Sequence, residues 1–375
     1  MINLFPKIKY LHGLILLLIV LSGFLSVQAQ NGNIVLADEK LQIVPTEFYV
    51  SKVVDERQDR GAVAHLMPSL TTIGTTAKTY PVDLQGGALT AISWFIDHSL
   101  PKNKGLRPVI IALKKVDIME TEFPGNKVEG RVSLAFSFDI DRGEDEPLAL
   151  AEYKGGVVYT RDATRAANVE PFLRQALEGG LLYLNNWMNA QVNTNIKLAH
   201  GIKITFSDYN EKPEGDSIYY SVSRPLTWSD FQSIVPNSKY EAEVFPTLGY
   251  DERTEVVKGV INLRLAIKVC LPKSAAWAKT GSRNDYTLNH EQRHFDISRI
   301  AAGHFKRMLN EITLSTANYD GPINVAYLDA YREMSNLQKL YDTETRHGTD
   351  IIMQRKWNAR IDRELKELGV KKAAD

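Results

Sequence analysis

The residues most able to do chemistry are His290, Glu291 and His294, in the run His290-Glu291-Gln292-Arg293-His294. On a helix, two histidines four apart point the same way, one turn above the other. Their imidazoles can then share one metal ion. Glu291, next to the first histidine, sits beside that ion and can take a proton from water that the ion has acidified. With 8 histidines in 375 residues, chance yields on the order of 0.01 such patterns in a chain of this length. Zn²⁺ is the expected ion, Glu291 the expected general base, and His290 and His294 two of three protein ligands, with water in the fourth place.

The third ligand is less direct. A ligand six residues after His294 would mark the metzincin pattern, but that position is Ile300. His304 lies ten residues on, roughly 15 Å along the same helix axis, too far to share the ion. The remaining candidates are Asp342, Glu344 and His347 beyond the next helix, and Glu333 in its middle, by analogy with glutamate-ligated zincins.

The elements around the motif follow from hydrophobic period. Asp285 to Ile312 carries apolar residues at helical spacing, with Asn284 or Asp285 able to cap its start. Ile323 to Tyr341 reads as a second helix, stopped near Gly348, and Thr349-Asp350 can cap a third. Upstream, Val260 to Cys270 alternates as a half-buried strand. A strand edge beside a motif helix can take an extended peptide by strand addition, and Val260–Cys270 is the strand expected to do so. The first half alternates differently: strands over Glu47–Glu56, Pro108–Val116, Val128–Ile140 and Leu148–Tyr159, a helix over Leu89–Leu100, and a long helix over Arg165–Met188 with a potential kink at Gly179-Gly180. Residues 30–200 show no phosphate loop and no metal-ligand spacing, which suits a recognition or docking module.

The N-terminus has the form of an export signal: Lys7 and Lys9, an apolar run from Leu14 to Leu21, and small residues at Val27 and Ala29 before a cleavage point. Residues 1–29 are therefore set apart as a signal peptide, and the product is expected to be periplasmic or secreted. The formal net charge is zero, so nucleic-acid binding is not indicated. No later apolar run is long enough for a membrane span. Cys270 is the single cysteine, so no internal disulfide can form.

Three blocks carry a resemblance. Asn289-His290-Glu291-Gln292-Arg293-His294-Phe295-Asp296-Ile297, Pro225-Leu226-Thr227-Trp228-Ser229-Asp230-Phe231, and Tyr341-Asp342-Thr343-Glu344-Thr345-Arg346-His347-Gly348 with Gln354-Arg355-Lys356-Trp357 together resemble a bacterial family described as predicted secreted zinc-dependent proteases. The resemblance covers about residues 205–370. It implies a zincin-like unit and a peptide or protein substrate. Within its last block, His347 stands at a helix end beside glycine, where one ring nitrogen can meet a free carbonyl and the other a metal. His347 is accordingly expected as third ligand, with Asp342, Glu344 and Glu333 as alternatives, and Asp296 and Asp342 as groups that orient the histidines. Tyr286, Tyr341 and Arg346 are candidates to stabilise an oxyanion.

The expected architecture is α+β: a mixed domain over 30–200 with a candidate envelope partner, and a zincin-like metallopeptidase domain over 201–375, with a small sheet on the metal-bearing helix and two helices after it. The expected activity is zinc-dependent peptide hydrolysis. The alternative is a non-catalytic, structurally metallated module for binding or assembly in the envelope.

Overall fold

The computed structural model describes residues 32–69, 78–143, 146–209 and 214–370. The expected signal peptide lies outside them. The fold is α+β, and the described chain divides into two compact units between Asn189 and Ala190. No described helix is long and apolar enough to cross a membrane.

The first unit is built on three long antiparallel strands, β4 (Arg107–Phe123), β5 (Lys127–Ile140) and β6 (Leu148–Asp162). The free edge of β4 takes two shorter strands in parallel. They are β1 (Phe48–Asp55) along its first half and β2 (Ala64–Leu66) along its second, with β3 (Tyr80–Val82) outside β2. Alternation in β5 is nearly perfect, with Val128, Val132, Leu134, Phe136, Phe138 and Ile140 all buried. Helix α1 (Ala88–Ser99) buries Ile92, Phe95 and Ile96. Helix α2 (Glu170–Gln191) runs unbroken through Gly179-Gly180. The second of these glycines is a contact rather than a kink, since a Cβ there would stand 2.8 Å from the Phe136 ring.

The second unit has a four-stranded sheet. Strand β11 (Val260–Pro272) is its centre. It pairs antiparallel with β10 (Thr247–Val257) on one side. On the other it pairs parallel with β7 (Gly201–Asp208) and then antiparallel with β8 (Ser217–Tyr219). Lys258 and Gly259, both at positive φ, make the two-residue turn that joins β10 to β11. Both edges of β11 are therefore occupied, and the expectation that Val260–Cys270 offers an edge to substrate is corrected. Strand β10 is its hairpin neighbour, while β7 and β8 arrive on the other edge from more distant sequence, which its own alternation does not reveal. The buried face carries Ile261, Leu263, Leu265, Ile267, Val269 and Leu271.

That face packs on helix α3 (Asp285–Glu311) through Phe295, Ala301, Ala302, Phe305 and Leu309. A second core joins Ile297 and Ile300 of α3 to Tyr341 of α4 (Asp320–Thr345) and to Trp357, Ile361 and Leu365 of α5 (Ile351–Glu367). Helix α3 is thus buried on most of its circumference, as a helix between a sheet and a helix pair must be. Asn284 caps it by accepting from the Thr287 amide, and Asp350 caps α5 by accepting from Ile352 and Met353. A separate two-stranded ribbon, β9 (Ala242–Val244) with β12 (Ala276–Ala278), lies beside the first turns of α3.

Candidate metal site

His290 and His294 stand on the face of α3 that meets α4. Their Nε2 atoms converge on one carboxylate oxygen, Oδ1 of Asp342, at 3.3 and 2.9 Å. The three side chains offer ligand atoms that all lie within 4.8 Å of one another, a group able to hold a metal ion. Two imidazoles and a carboxylate are a donor set that suits zinc.

The far side of each ring is held by a glutamine. His290 Nδ1 lies 2.9 Å from Gln354 Oε1, and His294 Nδ1 lies 3.1 Å from Gln338 Oε1. The amide orientations follow from their other partners. Gln354 Nε2 donates to the Tyr341 hydroxyl and to Asn358 Oδ1, while Gln338 Nε2 donates to Ser298 Oγ. Each Oε1 must then accept, so each ring has a proton on Nδ1 and turns its Nε2 inward to Asp342, where a bound metal would take the place of an Nε2 proton. Such outer partners are what fixes a metal-binding histidine. Tyr341 completes the clamp: its hydroxyl donates to the His290 carbonyl, and its ring stacks on His290 at 4.7 Å between centroids.

Electrostatics agree with a cation site. Burial pushes the Asp342 carboxyl up, but hydrogen bonds from His290 and His294 and their charges outweigh it and hold the group below the usual carboxylate range. Burial opposes charge on His294, yet the Asp342 carboxylate overrides it and raises its pKa. Glu291 is 2 % exposed, and its Oε2 has no hydrogen-bond partner among the described residues. Burial raises its pKa, with the two histidines pulling partly back. An unpaired buried carboxyl costs stability and calls for an explanation, and this one stands beside the candidate ligand set.

His347, expected as third ligand, is not a member of the metal-compatible group; its third member is Asp342, one of the alternatives. The reason is the chain path after α4. Arg346, His347 and Gly348 all have positive φ, at 51, 51 and 77°. This left-handed turn carries the His347 ring outward to stack on Tyr240, 3.8 Å between centroids, leaving its Nδ1 3.6 Å from Asp342 Oδ1. Gly348 is required here on two counts, because a Cβ would also stand 3.1 Å from the His290 ring.

Other candidates have other duties. Glu344 accepts from the Trp357 indole at 2.8 Å, and Glu333 pairs with His304 at 2.8 Å. Asp296 orients no histidine. It accepts from Gln292 and Arg293 of its own helix and from Tyr220 just past β8. Tyr341 is fully buried with its hydroxyl committed, and Tyr286 donates to the Gly348 carbonyl at 2.6 Å. The Pro225–Phe231 block docks on the motif helix, where Gln292 Oε1 accepts from the Leu226 amide.

Two clefts open on Glu291. One, of about 360 Å³, runs past Val244, Phe245, Met334 and Asp342. The other, of about 330 Å³, runs past Tyr240, Tyr286 and Thr349. Ala242, His290, Glu291 and His347 border both. Strand β9 lies along them. Its bonds to β12 use Glu241 and Phe245, which flank Glu243 in register. By alternation, the N–H and C=O groups of Ala242 and Val244 face the other way, toward the clefts.

Sequence reasoning missed the two glutamines and β9. Gln338 precedes Asp342 by one helical turn, a spacing visible in the sequence, and Gln354 opens the last block quoted above. A three-residue strand leaves no periodic trace. No family model, curated relative or solved structure matches the chain, so the family resemblance rests on the three sequence blocks alone.

Proposed function

We propose that this chain is an exported zinc-dependent hydrolase acting on peptide bonds, with a zincin-like second unit. The observation that carries this reading is the buried carboxyl of Glu291, whose Oε2 has no partner among the described residues, beside His290, His294 and Asp342 at the border of two clefts. A purely structural site, as in a binding or assembly module, has no use for such a carboxyl.

Zinc bound by His290, His294 and Asp342 would supply a Lewis acid that acidifies water and polarises a carbonyl. The residues do the rest. Glu291 takes the proton of the attacking water on its carboxylate and later delivers it to the leaving amine. Gln338 and Gln354 keep both imidazoles in one tautomer throughout. The inward-facing amides and carbonyls of Ala242 and Val244 can hold an extended backbone against the site, which favours a peptide over other amides.

Metal analysis of the purified chain comes first, with about one zinc per chain expected. Glu291→Gln should keep that zinc and abolish hydrolysis of a peptide library. Purified chain without bound metal at neutral pH would overturn the proposal.

A further inference from the structure

The two clefts that meet at Glu291 both mix polar and apolar groups, and each presents its own set of side chains. The first has Phe245, Pro246, Tyr331 and Met334 in its wall. Phe245 is 58 % exposed and Tyr331 42 % exposed, large apolar rings left in water at the rim of a site. The apolar surface also continues outward, since Leu328 and Val325 follow Tyr331 along α4 at steps of three residues and are exposed as well. The second cleft carries hydroxyls of Tyr240, Tyr286, Thr287 and Thr349 and the Glu241 carboxylate, beside the apolar Ala242 and Ile351.

We infer that the substrate is an internal, extended segment of a peptide chain with a large apolar side chain seated against Phe245, Tyr331 and Met334. The chain then passes Glu291 and continues into the hydroxyl-lined cleft. The inference rests on the hydrolase reading and adds to it the position of the cut and the side chain that selects it. Space on both sides of Glu291 accommodates residues before and after the reacting bond, so the cut falls inside the chain. The main-chain groups of Ala242 and Val244 on the edge of β9 away from β12 would bind main chain regardless of sequence. Selectivity therefore belongs to the apolar wall, where hydrophobic contact discriminates by tenfold or more for a substantial difference in side-chain size.

The test uses the full mature chain carrying Glu291→Gln, loaded with zinc, which keeps the groove and removes the base. Short fluorescent peptides blocked at both ends, with Phe, Leu, Ala or Gly at the central position, are titrated by anisotropy. Phe and Leu peptides should bind about tenfold or more tightly than Ala or Gly peptides. Adding Phe245→Ser and Tyr331→Ser should bring the affinities together without changing the zinc content. Equal affinities in the intact groove, or binding that requires a free terminus, would overturn the inference. In the chain that keeps Glu291, product masses should place the apolar residue at a fixed distance from an internal cut, and trimming of terminal residues alone would also overturn it. Selective binding with no cleavage by any form would refute the hydrolase reading and leave the groove assignment standing.

Discussion

His294 Nε2 and Asp342 Oδ1 lie 2.9 Å apart across 48 residues of sequence, and that contact ties the motif helix to the helix after it. If Asp342 is the third ligand, Asp342→Ala should remove bound zinc as fully as His294→Ala does. His347→Ala should keep about one zinc per chain. Elemental analysis of the three variants checks this, and loss of metal from the His347 variant would return that residue to the ligand set.

The glutamines make a subtler claim. Gln338→Leu removes the acceptor for His294 Nδ1 and frees the ring to rotate or change tautomer. Zinc affinity should fall by about 10- to 100-fold, the usual effect of losing a histidine's outer partner. Competition with a chromophoric chelator measures it. An unchanged affinity would mean that the helix alone holds the ring.

Glu291→Gln should stabilise the metal-free protein. The carboxylate is buried without a partner for Oε2, so replacing it by a neutral group recovers about 1 kcal/mol, or 2–4 °C in Tm for a unit of this size. Lost activity joined to gained stability is the pattern of a functional residue held at structural cost. A lowered Tm would point to a structural carboxylate.

Gly348→Ala meets two obstacles, a left-handed backbone and the His290 ring 3.1 Å from the new Cβ. A cost of about 2 kcal/mol is expected, together with weaker zinc binding as the ring is displaced. Thermal unfolding and metal titration on the same sample would show both. A loss of stability with unchanged affinity would separate the turn from the site.

Asp230 provides the pH test. It is fully buried, accepts two bonds from Arg224 and one from the Thr227 amide, and closes a capping box. Burial pushes its pKa up, but these partners outweigh burial and hold it below the ordinary 3.8. A depressed folded pKa gives stability that is present above the unfolded value and lost as pH falls through the folded one. Asp230→Asn should therefore cost about 1–2 kcal/mol near neutrality. That difference should shrink as the pH is taken below about 4 in denaturant titrations. A difference independent of pH would assign the effect to shape alone.

The motif, its helix and the two helices after it are legible because period 3.6 and capping residues are local signals. Asn284 and Asp350 cap the helices as their types suggest. The choice between Asp342 and His347 is not local. It depends on three successive residues in a left-handed turn, two of them not glycine, a conformation that their types do not announce. The edge role was placed on β11 because its alternation is strong, but alternation reports a buried face and says nothing of what pairs with either side. The short β9, with only Ala242 and Val244 turned to the clefts, has no sequence signal of its own.

The brevity of β9 has a consequence for self-association and for turnover. A long open edge invites other strands, including copies of the same chain, and proteins blunt such edges with short length and proline. Here the ladder is limited to two residues and is followed by Pro246, which has no N–H to extend it. A neighbouring sheet cannot zip onto so small a template. Under the proposed hydrolase reading, a bound peptide would gain only a few main-chain bonds from it, so its cleaved halves would leave readily.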